Sequence, residues 1–141
     1  MIATLVISFA ALAASAGQAA DPVVSEMDDF CVPFMRSAET VETVRASMTA
    51  KGLKPGVGNA FSRGDVMVQI AESRDGLRTC SISSTLPFEA NLRAVQRWPN
   101  IYTLTQLQKD AGFYRWEGAR YYLSVAQADD AKVVVTFTKK R

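Results

Sequence analysis

The 141-residue sequence contains no histidine. Its absence excludes Ser–His and Cys–His nucleophile pairs, His-based acid–base chemistry and every metal site that needs imidazole. The acidic residues at positions 26–29 lack the ligand spacing and glycine of a calcium loop. Gly56 and Gly58 precede a predicted strand without the Lys and Ser/Thr of a phosphate loop. We therefore predict no cofactor and no metal.

An excess of charge of either sign is also missing. The 16 Lys and Arg residues outnumber the 14 Asp and Glu residues only slightly, for a net charge of +2. Such a small excess argues against binding to nucleic acid or to an anionic membrane surface. The hydrophobic content of 48% and the charged content of 21% are ordinary for a folded globular chain.

The only extended apolar run lies at the N-terminus, over residues 2–14. This run is shorter than the ~20 residues needed to cross the hydrocarbon of a membrane, and small residues follow it. It predicts a secretory signal over residues 1–20, cleaved near Ala19 or Ala20, and then a single domain over residues 21–141. An uncleaved anchor is the alternative, because no Lys or Arg precedes the run. We expect a periplasmic or secreted protein without stable membrane insertion.

Only two cysteines are present, Cys31 and Cys80. They lack the close Cys-x-x-Cys spacing of catalytic redox pairs, and export to an oxidising compartment favours their pairing. We predict a structural disulfide between them.

The clearest strand pattern occupies residues 65–84. Val68 and Ile70 belong to one alternating apolar series, and Cys80 and Ile82 belong to a second. A three-residue loop ending in a left-handed glycine would place Ile70 opposite Cys80 and Val68 opposite Ile82. A two-residue loop would mix apolar and hydroxyl residues on one face. The sequence therefore predicts the first register.

The remaining elements follow from periodicity and from turn residues. We interpret residues 21–30 as an acidic lead-in to the domain, and we predict a helix capped by Ser37 and stopped at Gly52. Further helices are expected over residues 88–98 and 103–112, and further strands over residues 113–116, 119–126 and 132–138. The predicted class is α+β: an antiparallel sheet of about five strands, two or three helices packed on one face, and one disulfide. A short sequence similarity between residues 61–64 and 113–118 leads to the interpretation that a helix–hairpin unit is duplicated.

The most distinctive polar cluster lies in residues 113–122. A two-residue turn at positions 117–118 would place Arg115 opposite Arg120, with aromatic residues beside them. Guanidinium groups among aromatic rings are typical of recognition surfaces. The alternative is an ordinary sheet face on which Arg side chains cover aromatic rings. The predicted partner-binding residues are Phe113, Arg115, Arg120 and Tyr122.

The leading functional prediction is a small exported, non-catalytic binding or inhibitory module that acts on a protein partner of the cell envelope. The alternatives are a carboxylate-dependent hydrolase and a structural subunit of an envelope assembly. Nothing in the sequence selects a catalytic pair among the 14 carboxylates. Two close carboxylates in a cleft would favour the hydrolase. An aromatic–Arg patch outside a cleft would favour the binding module.

Overall fold

The computed structural model describes residues 21–36, 39–128 and 131–140. Within these residues, eight strands form one antiparallel sheet in the order β1-β2-β3-β4-β8-β7-β6-β5. The α+β class, the antiparallel sheet and the disulfide are confirmed, whereas the expected number of about five strands is too low. The predicted signal sequence lies outside the described residues. The strands are β1 (Lys54–Pro55), β2 (Ala60–Arg63), β3 (Val66–Glu72), β4 (Arg78–Ser84), β5 (Thr105–Asp110), β6 (Phe113–Glu117), β7 (Tyr121–Gln127) and β8 (Val133–Lys139).

Helices pack on one face of this sheet, where alternate residues of β3, β4, β7 and β8 are buried. The opposite face, called the outer face below, carries half-exposed or exposed residues on those strands. The helical elements are α1 (Pro22–Glu26), a π-helical segment (Met27–Cys31), α2 (Val32–Arg36), α3 (Val41–Ala50), α4 (Phe88–Val95) and α5 (Trp98–Ile101).

The hairpin of β3 and β4 has the predicted register. Ile70 lies opposite Cys80 and Val68 lies opposite Ile82. The amide of Ser73 donates to the carbonyl of Leu77 at 2.9 Å, which leaves a three-residue loop over residues 74–76. The last loop residue is a glycine with φ of +81°. The prediction from apolar alternation is confirmed because only this register keeps the apolar side chains on one face.

The acidic lead-in predicted for residues 21–30 is wrong, because these residues form α1 and most of the π-helical segment. Asp21 caps the helix, its Oδ1 accepting from the Val23 amide at 2.9 Å, and Pro22 occupies the first turn. One stripe of this helical region is fully buried: Val23, Met27, Phe30, Cys31, Phe34 and Met35. Each such side chain stabilises the fold by about 1.5–3 kcal/mol. The exposed Asp28 and Asp29 made this segment look polar in the sequence, so its buried stripe was not predicted.

The disulfide joins the π-helical segment to the centre of the sheet. Cys31 and Cys80 are bonded, with their Cα atoms 5.4 Å apart, and both are fully buried. The predicted pairing is confirmed.

Three helix predictions need correction. The helix expected over residues 88–98 is divided into α4 and α5, so that Trp98, expected at the end of one helix, begins the next. The helix expected to be capped by Ser37 begins at Val41 and is capped by Thr40, whose hydroxyl accepts from the amide of Thr43 at 3.2 Å. Ser37 itself lies outside the described residues. The helix expected over residues 103–112 is instead the edge strand β5, whose residues are all exposed. A bulge between Gln106 and Gln108 interrupts its period of two, so the segment lacked the alternation that predicts a strand.

The sheet consists of two repeats that share topology and register. In each repeat a helix is followed by four antiparallel strands, and the last strands, β4 and β8, pair at the centre. Residues 41–84 form the first repeat and residues 88–139 the second. The pairs between the second and third strands of a repeat recur 55 positions later, so that Phe61 opposite Val68 becomes Trp116 opposite Leu123.

The third and fourth strands of each repeat obey the same offset. Ile70 opposite Cys80 becomes Val125 opposite Val135. The interpretation of a duplicated unit therefore agrees with the topology. The short sequence similarity aligned the repeats wrongly, because the counterpart of Phe61 is Trp116.

The helices of the two repeats also end alike. The Leu53 amide donates to the carbonyl of Met48 at 3.0 Å, and the Leu104 amide donates to the carbonyl of Pro99 at 2.7 Å. The left-handed residue before each leucine is Gly52 in the first repeat, with φ of +87°, and a threonine in the second, with φ of +54°. A β-branched residue in this conformation costs about 1–3 kcal/mol, whereas glycine adopts it without strain.

Gly118 makes a close approach that fixes the end of α5 against the hairpin of β6 and β7. A Cβ at this position would lie 2.7 Å from the carbonyl oxygen of Thr103 and 2.9 Å from Leu104 Cδ2. We expect Gly118→Ala to lower the free energy of unfolding by about 2 kcal/mol, since the nearer atom belongs to the backbone. Gly56→Ala is the matched control, because its Cβ would meet only the Ala60 oxygen, at 3.6 Å. Chemical denaturation measures both variants, and equal losses would contradict the steric argument.

Candidate functional site

The outer face carries uncharged and mostly small side chains on strands β4, β8 and β7. A row across β4, β8 and β7 consists of Ser81, Thr136 and Ser124, which lie opposite one another. The outer-facing residues of these strands are all half-exposed. No charged side chain is found at these positions within residues 79–83, 122–126 and 134–138: Thr79, Ser81, Ser83, Tyr122, Ser124, Ala126, Val134, Thr136 and Thr138.

On the outer face, charged side chains lie on β6 and beside the end of β8. The Arg115 guanidinium lies over the Tyr122 ring, with its Cζ 4.9 Å from the ring centroid. This distance is within the range of a cation–π interaction. Arg115 Nη2 lies 3.4 Å from Glu117 Oε2, and Lys140 Nζ donates to Glu117 Oε1. Together with Phe113, which lies on the same face of β6, these residues are called the Arg115 cluster below: Phe113, Arg115, Glu117, Tyr122 and Lys140.

The Arg115 cluster has an excess of positive charge. The hydrogen bond from Lys140, and to a lesser extent the contact with Arg115, lowers the pKa of the Glu117 carboxyl. The cluster at neutral pH therefore contains two cations and one anion. Arg115 Nε is buried and has no hydrogen-bond partner among the residues that the structure describes. A buried N–H without an acceptor is an unfavourable arrangement that an incoming acceptor would relieve.

The structure brings Phe113, Arg115 and Tyr122 to the outer face but places Arg120 elsewhere. The predicted turn at residues 117–118 is wrong, because Glu117 pairs with Tyr122 within the strands. The turn is at residues 119–120 and is closed by a hydrogen bond of 2.9 Å from the Gly118 amide to the Tyr121 carbonyl. Arg120 is thus an exposed turn residue and does not lie opposite Arg115.

The hairpin of β6 and β7 nevertheless keeps the predicted faces. Arg115 lies opposite Ser124 rather than opposite Arg120, so its partner lies four residues further along the chain than predicted. A shift by an even number of residues leaves every side chain on the same face of the sheet. Leu123 and Val125 are buried as predicted. The turn that sets the register follows Gly118, whose close approach to Thr103 no local pattern reveals.

The first repeat shows what the hairpin needs at these positions. Arg115 and Tyr122 correspond to Ala60 and Met67, which occupy the same register in the first repeat. Because Ala and Met suffice there, the guanidinium and the phenol ring are not required for strand pairing. The Arg–Tyr pair is therefore a feature of the second repeat alone.

A second arrangement bears on the hydrolase alternative. One cavity of about 350 Å³ is lined by two carboxylates, Glu42 and Glu72, together with Arg74 and Arg78. Glu72 Oε2 lies 2.7 Å from Arg78 Nε. One of the two carboxylates is therefore held in an ion pair at the end of the β3–β4 hairpin.

Comparisons of the chain with protein-family models, with curated proteins and with solved structures each find no match. In the described part of the chain, no helix is long and apolar enough to cross a membrane. Within the same residues, no group of three or more Cys, Asp or Glu side chains is arranged to hold a metal ion. The functional argument therefore depends on the chemistry of the surfaces.

Proposed function

We propose that this protein is a small exported, non-catalytic module that binds, and by binding inhibits, a protein partner of the cell envelope through the Arg115 cluster. The observation that carries the proposal is the stacking of Arg115 on Tyr122 on the outer face of the sheet, at positions filled by Ala60 and Met67 in the first repeat. Arg and Tyr are among the residues that most often dominate binding energy at protein interfaces.

The chemistry of the cluster defines the kind of partner surface that fits it. Arg115 offers planar N–H donors that match a carboxylate, and Lys140 adds a second cation. The side chains of the neighbouring outer face on β4, β7 and β8 are uncharged and mostly small, so this face could accommodate a partner without burying unpaired charge. An acidic residue surrounded by apolar or hydroxyl side chains is the complementary surface.

Export is part of the same proposal. A disulfide persists in oxidising compartments and is rare in the cytosol of most organisms, so the Cys31–Cys80 bond is consistent with a periplasmic or secreted location. Cleavage of the N-terminal segment near Ala19 or Ala20 would release the domain. A structural subunit of an envelope assembly would use the same surface in a permanent contact.

Replacement of the cluster by the residues of the first repeat tests the proposed surface. We expect Arg115→Ala and Tyr122→Met each to weaken binding of the captured envelope partner by about 2 kcal/mol, with little loss of stability. The mature protein is used to capture the partner from an envelope extract, and calorimetry then measures the affinity of each variant.

Two further variants serve as controls for this measurement. Met67→Ala changes the outer face of the first repeat, and Arg120→Ala removes the predicted residue that the structure places at the turn. Both should bind the partner within about 0.5 kcal/mol of the unaltered protein. Unchanged binding by the Arg115→Ala, Tyr122→Met double variant would reduce the cluster to a solvated part of the sheet.

A further inference from the structure

The helix side of the second repeat contains two neighbouring cavities that share one side chain, Tyr102. A cavity of about 230 Å³ lies between α2 and α5, where Arg36, Arg97 and Trp98 are among its lining residues. A second cavity of about 300 Å³ lies between the end of α5 and the β6–β7 turn, where Arg120 lines it. The two cavities and their shared wall are called the Tyr102 groove below.

Aromatic rings form the apolar surface of the groove. Trp98 and Tyr102 stack at 5.4 Å between ring centroids, and Tyr102 meets Tyr121 edge to face at 4.8 Å. Burial raises the pKa of the Tyr102 hydroxyl, and the nearby Arg36 lowers it to a lesser extent. The phenol is therefore a neutral hydrogen-bonding group at neutral pH. The indole Nε1 of Trp98 is buried without a hydrogen-bond partner among the described residues.

Two guanidinium groups lie near these rings, and a third lines the second cavity. Arg36 Cζ lies 5.9 Å from the Tyr102 centroid, and Arg97 Cζ lies 5.8 Å from the Trp98 centroid. Asp28 pairs with Arg97 and is the acidic residue that lines the first cavity. Among the described residues, the second cavity is lined by Arg120 and by no acidic side chain. Positive charge therefore dominates the groove on both sides of Tyr102.

The first repeat lacks this construction. The counterparts of Arg120 and Tyr121 there are Asp65 and Val66. An anionic side chain thus occupies the place of the cation, and an aliphatic side chain occupies the place of the aromatic ring. The left-handed residue at the helix end is the unstrained Gly52 in the first repeat and Thr103 in the second, where it lines the groove. Backbone strain that the fold itself does not need is concentrated at functional sites.

We propose that the Tyr102 groove binds a small ligand that carries an oxyanion, either a carboxylate or a phosphate, on an aromatic or apolar body. Arg36 and Arg120 supply charge-assisted donors to the oxyanion, and the rings of Tyr102 and Trp98 supply the apolar contact. Asp28 holds Arg97 in place and leaves Arg36 and Arg120 as the cations that face the ligand. This site lies on the opposite side of the sheet from the Arg115 cluster and does not depend on the function proposed for that cluster.

Three probes of similar shape test the inference with the mature protein: benzoate, phenyl phosphate and the neutral benzamide. We expect benzoate or phenyl phosphate to shift the NMR signals of Tyr102 and of the Arg36 side chain saturably, and benzamide to leave them unchanged. Arg36→Gln and Arg120→Gln should each weaken binding of the anion about tenfold or more, because each removes a charge-assisted hydrogen bond. The ratio of the benzoate and phenyl phosphate affinities identifies the preferred oxyanion.

Arg93→Gln is the matched control, since it removes the same charge from an exposed position of α4 outside the two cavities. It should leave the affinity for the anion unchanged, as should Arg115→Ala. Three results would overturn the inference: no saturable shift with either anion, equal binding of benzamide and benzoate, or an equal loss of affinity in Arg93→Gln. Loss of partner binding in Arg115→Ala with an intact Tyr102 groove would separate the two proposals.

Discussion

Removal of the disulfide is expected to lower the free energy of unfolding by about 4 kcal/mol. The bond spans a sequence separation of 49 residues, and both cysteines are fully buried. It attaches the N-terminal helical region to β4, the strand through which the first repeat pairs with the second. Since small domains have a total stability of about 5–15 kcal/mol, a loss of this size would bring the protein close to unfolding.

The variant for this test is chosen from the repeat itself. Cys80 corresponds to the buried Val135 of the second repeat, so Cys31→Ala with Cys80→Val removes the bond without placing a polar atom in the core. Thermal and chemical denaturation should show the loss, and a reducing agent should destabilise the unaltered protein to a similar extent. The reductant should not affect the double variant. A loss below about 1 kcal/mol in the variant would show that helix packing alone holds the N-terminal region.

Arg63→Ala is expected to destabilise the protein by about 3 kcal/mol, because it leaves a buried carboxylate without its cation. Glu26 is only 2% exposed, and its Oε1 accepts from Arg63 Nε at 3.0 Å and from Nη2 at 2.6 Å. Its other oxygen, Oε2, has no hydrogen-bond partner among the described residues. The expected loss of stability is at the lower end for buried ion pairs. Arg63 is about half exposed, so water can solvate the Glu26 carboxylate once the Arg63 side chain is removed.

A double-mutant cycle separates the charge from the packing. In the Glu26→Gln background, Arg63→Ala should cost much less than in the unaltered protein, because no buried charge remains. Arg97→Ala is the control, since it breaks an ion pair with Asp28 in which both side chains are about half exposed. That variant should lose about 1 kcal/mol or less. Equal losses of stability in Arg63→Ala and Arg97→Ala would show that the burial of Glu26 adds nothing to the cost of removing its cation.

Part of the candidate surface was predictable because a strand alternates with a period of two. Phe113, Arg115 and Tyr122 share one face of the sheet in any register that differs by an even number of residues. Arg120 could not be placed in this way, because its position depends on where the turn lies. The turn follows Gly118, which packs closely against the carbonyl of Thr103 at the end of α5.

The Tyr102 groove had no comparable signal in the sequence. Its residues come from α2, α5 and the β6–β7 turn, which are brought together only by the packing of helices on the second repeat. Arg36, Tyr102 and Arg120 are each ordinary surface residues when they are read singly. Their distinctive property, a shared set of cavities with excess positive charge, exists only in the folded chain.

Local chemistry in the sequence alone determined the β3–β4 hairpin, its glycine turn and the pairing of Cys31 with Cys80. Alternation, turn residues and a lone cysteine pair act over short distances or allow a single solution, so their outcome does not depend on the rest of the fold. The tertiary structure decided the helical state of residues 21–36 and the strand state of β5. Burial of Glu26 requires Arg63, which lies 37 positions away, and β5 is extended because it pairs with β6. Long-range pairing of this kind overrides local preference.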